Sequence, residues 1–149
     1  KLIPVEQPRE LLGVVGIAIG GSLNMALITA GSSLIPPPAG VDVGNAESLA
    51  LAMPLFEPRH FLMPFLAHAV GTFVGAVLAY WIAASHKTRF ALAIGLVFLC
   101  GGIAASFMIP APGWFIALDV LLAYLPTAWL GARLGAYLSG SRGETATAH

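Results

Sequence analysis

The sequence predicts an all-α polytopic membrane protein, a four-helix transmembrane bundle with up-down-up-down topology. The composition is the first reason: 58% of the 149 residues are hydrophobic and only 9% are charged, whereas soluble domains are about one quarter charged. The second reason is that the apolar residues form four long runs, and one membrane-spanning helix needs about 20 such residues. These runs and their connections fill residues 1–149, which predicts a single domain.

The first span is predicted over residues 11–35. Pro8 suits the first turn of this helix, because its missing N–H would have no partner there. Gly16 and Gly20 are four residues apart, a pattern that lets a second helix approach closely. Asn24 lies near the middle of the span, and a side-chain amide in hydrocarbon needs a hydrogen-bond partner. We therefore expect Asn24 to face another helix or a ligand.

The connection at residues 36–57 is the only long one. It begins with three prolines, which have no amide N–H and end the helix. Residues 45–53 are predicted to form one or two turns of helix at the membrane interface. A long loop among short ones is a candidate functional region, and the alternative is a simple cap over the bundle. The polar candidates in this region are Asp42, Glu57, Arg59 and His60.

The second and third spans are predicted over residues 58–85 and 90–109. His68 and Thr72 are four residues apart in the second span, so they share one helix face. The third span is rich in glycine and alanine, which gives it a thin face for packing against other helices. Ser106 lies near its end.

The fourth span is predicted over residues 114–137 and contains Asp119 inside its apolar run. Pro126 has no amide N–H, so we expect it to bend the helix and to free the carbonyl group of Leu122. The small and polar residues 139–149 are predicted to form a flexible tail.

Basic residues predict the orientation, because they favour the cytoplasmic side. Lys87 and Arg89 lie in the second connection, and Arg133 and Arg142 lie at or after the end of the fourth span. The long first loop, counted over residues 41–59, has three acids and one arginine. Both termini are therefore predicted to be cytoplasmic, with residues 36–57 outside. The short chain and compact loops suit a bacterial inner membrane.

Five polar side chains are predicted to lie in the outer half of the membrane or at its middle, at about 1.5 Å of depth per residue. They are Asn24, His68, Thr72, Ser106 and Asp119. An ionisable residue inside a membrane is costly and is a functional candidate by default. His68 is the expected partner of Asp119. The two form either part of an outward-facing polar pocket or a structural hydrogen-bonded pair between two helices.

Several function classes are excluded by what the sequence lacks. Seven basic and seven acidic residues cancel without a basic patch, which argues against nucleic acid as a partner. There is no HExxH sequence and no dense set of His, Cys and carboxylate residues, so no metal is expected. His68 is the only histidine in the apolar zone, which argues against haem, and no cofactor is predicted. Cys100 cannot form an internal disulfide and is predicted to be a small buried residue.

Three functional hypotheses follow. The first is a non-enzymatic accessory or structural subunit, or a homo-oligomer, whose partners are the bilayer and other chains. The second is a transport protein for a small solute, protons or ions that uses Asn24, His68 and Asp119. The third is a membrane enzyme that acts on a lipid or a quinone. The small set of reactive groups favours the first hypothesis.

Overall fold

The structure is a computed structural model that describes the backbone of residues 7–146 and the side chains of residues 13–140. Within this part of the chain there are six α-helices, two short 3-10 helices and no strand. The α-helices are α1 (Gln7–Leu34), α2 (Ala46–Ala52), α3 (Leu62–Ile82), α4 (Lys87–Met108), α5 (Gly113–Leu122) and α6 (Leu125–Ala146). The 3-10 helices cover Met53–Leu55 and Pro58–Phe61.

In the described part of the chain, four helical stretches are long and apolar enough to cross a membrane. They are Gly13–Leu34, Pro58–Ile82, Lys87–Met108 and Gly113–Gly140. The chain is therefore an integral membrane protein, and the predicted all-helical, four-span fold is confirmed. We call the end of the bundle that carries residues 35–61 and 109–112 the cap end, and the end that carries residues 83–86 the connection end.

The spans differ from the predicted ones in their ends and in their regularity: α1 begins at Gln7 and not at residue 11, and α3 ends at Ile82 and not at residue 85. The second span begins as the 3-10 turn Pro58–Phe61 before α3 starts. The third span begins at Lys87, directly after His86, whose left-handed backbone (φ 50°) completes the short connection. The last span is interrupted between α5 and α6, and α6 continues to Ala146 through the segment for which the sequence predicts a flexible tail. Residues 147–149 lie outside the described residues.

The cap contains the short helix predicted at residues 45–53, which the structure has as α2. Its first turn is fixed by Asn45, whose Oδ1 accepts hydrogen bonds from the backbone N–H groups of Glu47 (2.9 Å) and Ser48 (3.0 Å). Such an N-terminal cap satisfies donors that have no partner inside the helix. The only left-handed glycine of the described residues, Gly40 (φ 82°), turns the chain shortly before this helix.

Helix α3 lies at the centre of the bundle and packs against α1, α4 and α6. Glycines allow the α1–α3 contact: a Cβ added at Gly20 would lie 2.6 Å from the carbonyl oxygen of Gly71, and one at Gly16 would lie 3.0 Å from that of Gly75. The close approach predicted from the spacing of Gly16 and Gly20 is thus made with α3. On another side of α3, Gly131 brings α6 against the backbone of Phe73.

A buried cluster of small residues lies toward the connection end. Ala76, Ala91, Ala128 and Ala132 form one cluster where α3, α4 and α6 meet. Cys100 is not part of a core: it is exposed on α4, so the prediction of a buried thiol was wrong. The reason is that α4 packs through its other side, where Ile94 and Gly95 are buried.

Candidate functional site

Three side chains from two spans form one hydrogen-bonded group, which we call the His–Asp–Tyr cluster: His68 of α3, Asp119 of α5, and Tyr124 between α5 and α6. Nδ1 of His68 lies 2.9 Å from both carboxylate oxygens of Asp119. The hydroxyl of Tyr124 donates to Oδ2 of Asp119 at 2.7 Å and lies 3.1 Å from Nδ1 of His68. The cluster therefore joins the second span to the fourth.

The interruption of the last span explains how Asp119 and Tyr124 meet. Five residues separate them, which in a regular helix would place them about 140° apart around the axis. Pro126 cannot donate to the carbonyl of Leu122, and the helix is broken at residues 123–124. The hydroxyl of Thr127 donates to the carbonyl groups of Ala123 (2.6 Å) and Tyr124 (2.9 Å), so these two carbonyl groups at the break have a side-chain donor.

Space for the tyrosine ring is provided by α4. A Cβ added at Gly102 would overlap with the hydroxyl group of Tyr124. The ring of Tyr124 also stacks on that of His68, with 5.7 Å between the ring centroids and an angle of 27° between the planes. Tyr124 is almost fully buried, so its position is fixed by three helices.

Burial differs within the cluster. The side chain of Asp119 is 7% exposed and that of His68 is 22% exposed. Because the carboxylate accepts a hydrogen bond from Nδ1, the proton of a neutral His68 belongs on Nδ1. Nε2 of His68 has no hydrogen-bond partner among the described residues. The cluster therefore orients His68 and leaves one ring nitrogen for another molecule.

A cavity of about 390 Å³ lies beside the cluster at the cap end of the bundle. His68 and Asp119 contribute to its wall, and most of the remaining lining is apolar. The lining comes from α1, the cap, the first turns of α3, the last turns of α4, and α5. A pocket with mainly apolar walls and a few polar groups is the usual form of a small-molecule site.

Aromatic side chains close the cap end of this cavity. The ring of Phe61 packs against Phe115 (4.8 Å between centroids), Trp114 (5.4 Å) and Phe56 (6.1 Å). His60 stands at the edge of this group, 5.3 Å from Phe56, and its Nδ1 accepts from the backbone N–H of Glu57 at 2.9 Å. These contacts tie the cap to the first turn of α5.

The structure brings together some of the candidates from the sequence. His68, Asp119, Ser106 and His60 all line the cavity. Ser106 also donates to the carbonyl of Ile103 at 2.7 Å, a bond within its own helix.

Two other pocket candidates lie outside the cavity lining. Thr72 is fully buried one turn beyond His68, and Asn24 packs beside Gly71. Oδ1 of Asn24 and Oγ1 of Thr72 are buried without a hydrogen-bond partner in the described part of the chain. The partner that the sequence led us to expect for Asn24 is thus not supplied to its Oδ1 by a described residue.

The charged candidates of the cap are also outside the cavity lining. Arg59 forms a solvent-exposed ion pair with Glu57 at 3.1 Å. Oδ1 of Asp42 accepts from the backbone N–H of Gly44 at 2.9 Å. These bonds shape the cap locally and are of the exposed type that contributes little to stability.

Tyr124 was missed by the reasoning from sequence. It lies five residues after Asp119, a spacing that does not place two side chains on one helix face. The available signal was Pro126, which predicted a bend but not the direction in which it would turn the chain.

Within the described residues, no group of three or more His, Cys, Asp and Glu side chains is arranged to hold a metal ion. Comparison of the chain with protein-family models, with curated proteins and with solved structures found no match. The function must therefore be inferred from the cavity and the His–Asp–Tyr cluster.

Proposed function

We propose that this integral membrane protein binds a small molecule in the cavity at its cap end, with Nε2 of His68 as the hydrogen-bonding group. The proposal rests on the fact that the cavity lies directly beside the His–Asp–Tyr cluster. Asp119 and Tyr124 occupy Nδ1 of His68, and the imidazole borders a space of about 390 Å³. A side chain held in this way is pre-organised for a ligand, which reduces the entropy lost on binding.

The binding proposal is tested by native mass spectrometry of the protein extracted from its own membrane into nanodiscs. We expect the wild-type protein to carry a noncovalent small molecule, and His68→Ala to lose it, because the ligand's hydrogen bond to Nε2 is removed. His86→Asn is the matched control, since His86 lies at the connection end and its left-handed backbone (φ 50°) is tolerated by asparagine. A wild-type protein without any bound small molecule, or equal retention in His68→Ala, would contradict the proposal.

The same measurement addresses the hypothesis of an accessory subunit or homo-oligomer. Its support is the surface of α1 and α4, where a Cβ added at Gly13, Gly21 or Gly101 would meet nothing within 4 Å. Such open small-residue positions let another helix approach. Other polypeptides in a fixed ratio, or a symmetric oligomer, would support that hypothesis, and a monomeric particle would exclude it.

Transport is a second candidate function because of Asn24 and Thr72. Their unpaired buried oxygens extend the polar groups from the cluster toward the middle of the bundle, and an unpaired polar group in an apolar interior is costly. A proton or small-ion path through His68 and Asp119 predicts that Asp119→Asn abolishes flux in proteoliposomes while the fold is kept. Equal flux in this variant would rule out the path.

We propose further that both termini are cytoplasmic and that the membrane is a bacterial inner membrane. The support is the charge distribution. Lys87, Arg89 and Arg133 lie near the connection end, and the cap has three acids and one arginine. Lys87 lies over the ring of Tyr80 (5.6 Å) and Arg133 over that of Trp129 (5.3 Å), as expected for residues at the interface. Labelling of Ser48→Cys in a Cys100→Ser background by an impermeant maleimide from outside the cell tests this orientation.

A further inference from the structure

The cavity reaches the side of the bundle between α1 and α4. These two helices touch toward the connection end, where added Cβ atoms at Gly16 and Gly20 would lie 3.1 Å from Ile94 and 3.2 Å from Phe98. Toward the cap end, their residues line the cavity instead, among them Met25 and Ala105. Both of these lining residues are exposed on the protein surface. In a membrane, a gap between these two helices would face the acyl chains, and we call this place the lateral opening.

The charges around the cavity restrict what it can hold. Among the described residues that line it there is no lysine or arginine, and Arg59 is paired with Glu57 in solvent. Asp119 is nearly buried and its oxygens already accept from His68 and Tyr124. An anionic headgroup would find only His68, whose charge when protonated is already balanced by Asp119. A cationic headgroup would have to compete with His68 and Tyr124 for the oxygens of Asp119, so a charged headgroup is unfavourable in this mainly apolar space. An uncharged oxygen group needs only one hydrogen bond.

We infer that the ligand is an uncharged amphiphile of the bilayer, which enters between α1 and α4 and places a carbonyl or hydroxyl oxygen on Nε2 of His68. This inference rests on the proposed binding function and specifies its ligand class and its route. A protonated His68 donates from Nε2 to a carbonyl oxygen, and a neutral one accepts from a hydroxyl group. Both arrangements keep the pairing of Nδ1 with Asp119 described above.

The apolar part of the ligand fits the rest of the lining. Met25, Met53 and Met63 come from α1, the cap and α3, and Phe115 comes from α5. Methionine side chains are flexible and polarisable, and they adapt to aliphatic or ring-shaped groups. An acyl or isoprenoid chain longer than the cavity can continue through the lateral opening into the membrane. The site therefore has to enclose only the headgroup and the first part of the chain.

The ligand class is tested by equilibrium binding to the protein in nanodiscs. The uncharged probes are a decyl-substituted benzoquinone, its quinol and a short-chain diacylglycerol, and the charged probes are decyltrimethylammonium and decyl phosphate. We expect at least one uncharged probe to bind about tenfold or more tightly than both charged probes. A preference for the quinone pair or for the diacylglycerol identifies the source of the oxygen group. His68→Ala should reduce binding of the preferred probe by about tenfold, and His68→Gln should restore part of it.

The route is tested by a pair of substitutions on α4. Ala105→Trp places a ring in the lateral opening, whereas Ala104→Trp places it on a neighbouring exposed position that does not line the cavity. We expect Ala105→Trp to weaken or slow binding of the preferred probe by about tenfold, with no change for Ala104→Trp.

The outcomes of these tests separate the ligand class and route from the binding function. Equal binding in the two tryptophan variants, or preference for a charged probe, would overturn the inference. If in that case His68→Ala still loses the native small molecule, the binding function stands and only its ligand class or route is wrong. If no native small molecule is found and no probe binds, both are wrong.

Discussion

The two halves of the bundle use small residues for different purposes. Toward the connection end, Gly20 and Gly71 bring two backbones into contact, and alanines fill the space between three helices. At the cap end, Gly102 provides space for the hydroxyl of Tyr124, and the helices separate around a cavity. The first half is closely packed where these helices meet. The second half is less closely packed and contains the polar cluster and the cavity. We therefore expect substitutions in the first half to reduce mainly stability and substitutions in the second half to reduce mainly ligand binding.

The largest expected effect is in the closely packed half. Gly20→Ala should destabilise the protein by about 3 kcal/mol, because its Cβ would lie 2.6 Å from the carbonyl oxygen of Gly71 and two backbones would have to separate. Gly21→Ala is the matched control on the same helix, since a Cβ there meets nothing within 4 Å, and it should be neutral or stabilising by up to about 1 kcal/mol. The free energy of unfolding in mixed detergent micelles measures both. Similar values for the two variants would show that the α1–α3 contact is looser than described.

A smaller change in stability is expected in the polar cluster. Asp119→Ala removes the partner of Nδ1 of His68 and of the Tyr124 hydroxyl, so we expect a loss of about 1–2 kcal/mol. The same unfolding measurement applies. Binding of the ligand should be abolished, because the orientation of His68 is no longer fixed. Asp119→Asn keeps the shape and one acceptor oxygen, and its loss of stability should be smaller. Full binding in Asp119→Ala would mean that the cluster only connects two helices.

The smallest effect on stability, about 1 kcal/mol, is expected for Gly102→Ala, because a single side chain and no backbone has to shift. Its Cβ would overlap with the hydroxyl of Tyr124, which has to move away from Asp119. We expect binding to fall by about fivefold while the fold is kept, as measured by titration of the preferred amphiphile. The control is Gly101→Ala, whose Cβ would meet nothing within 4 Å. If Gly102→Ala bound as well as Gly101→Ala, the position of Tyr124 would not matter for the site.

The number and type of the spans followed from hydropathy alone, because each spanning helix must satisfy its own backbone hydrogen bonds in lipid. The helix in the cap followed from local sequence, since residues 45–53 have the composition of a short interfacial helix. Pro126 indicated the bend in the last span for a similarly local reason. These properties depend on residues that are close together in the chain, so a single sequence is enough to predict them.

Properties that depend on distant residues were only partly accessible. The pairing of His68 with Asp119 could be expected because both are ionisable and had to lie in the apolar zone. The contribution of Tyr124 could not be expected, because it depends on the geometry of the break between α5 and α6. An outward-facing polar pocket was one of the two predicted alternatives, but the mainly apolar lining of the cavity was not predicted, because it depends on how the helices are placed and not on a residue pattern. Whether His68 and Asp119 act in function stays a prediction.

The break at residues 123–124 also divides the last span mechanically. Helix α6 is held in the closely packed half through Gly131 and Ala128, whereas α5 carries Asp119 and the aromatic contacts of the cap. A continuous helix would transmit any tilt of its outer end to its inner end. Because of the break, we expect α5 and the cap to move together when a ligand binds, without a change in the position of α6. Amide hydrogen exchange should then change on binding in α5 and the cap, and not in α6.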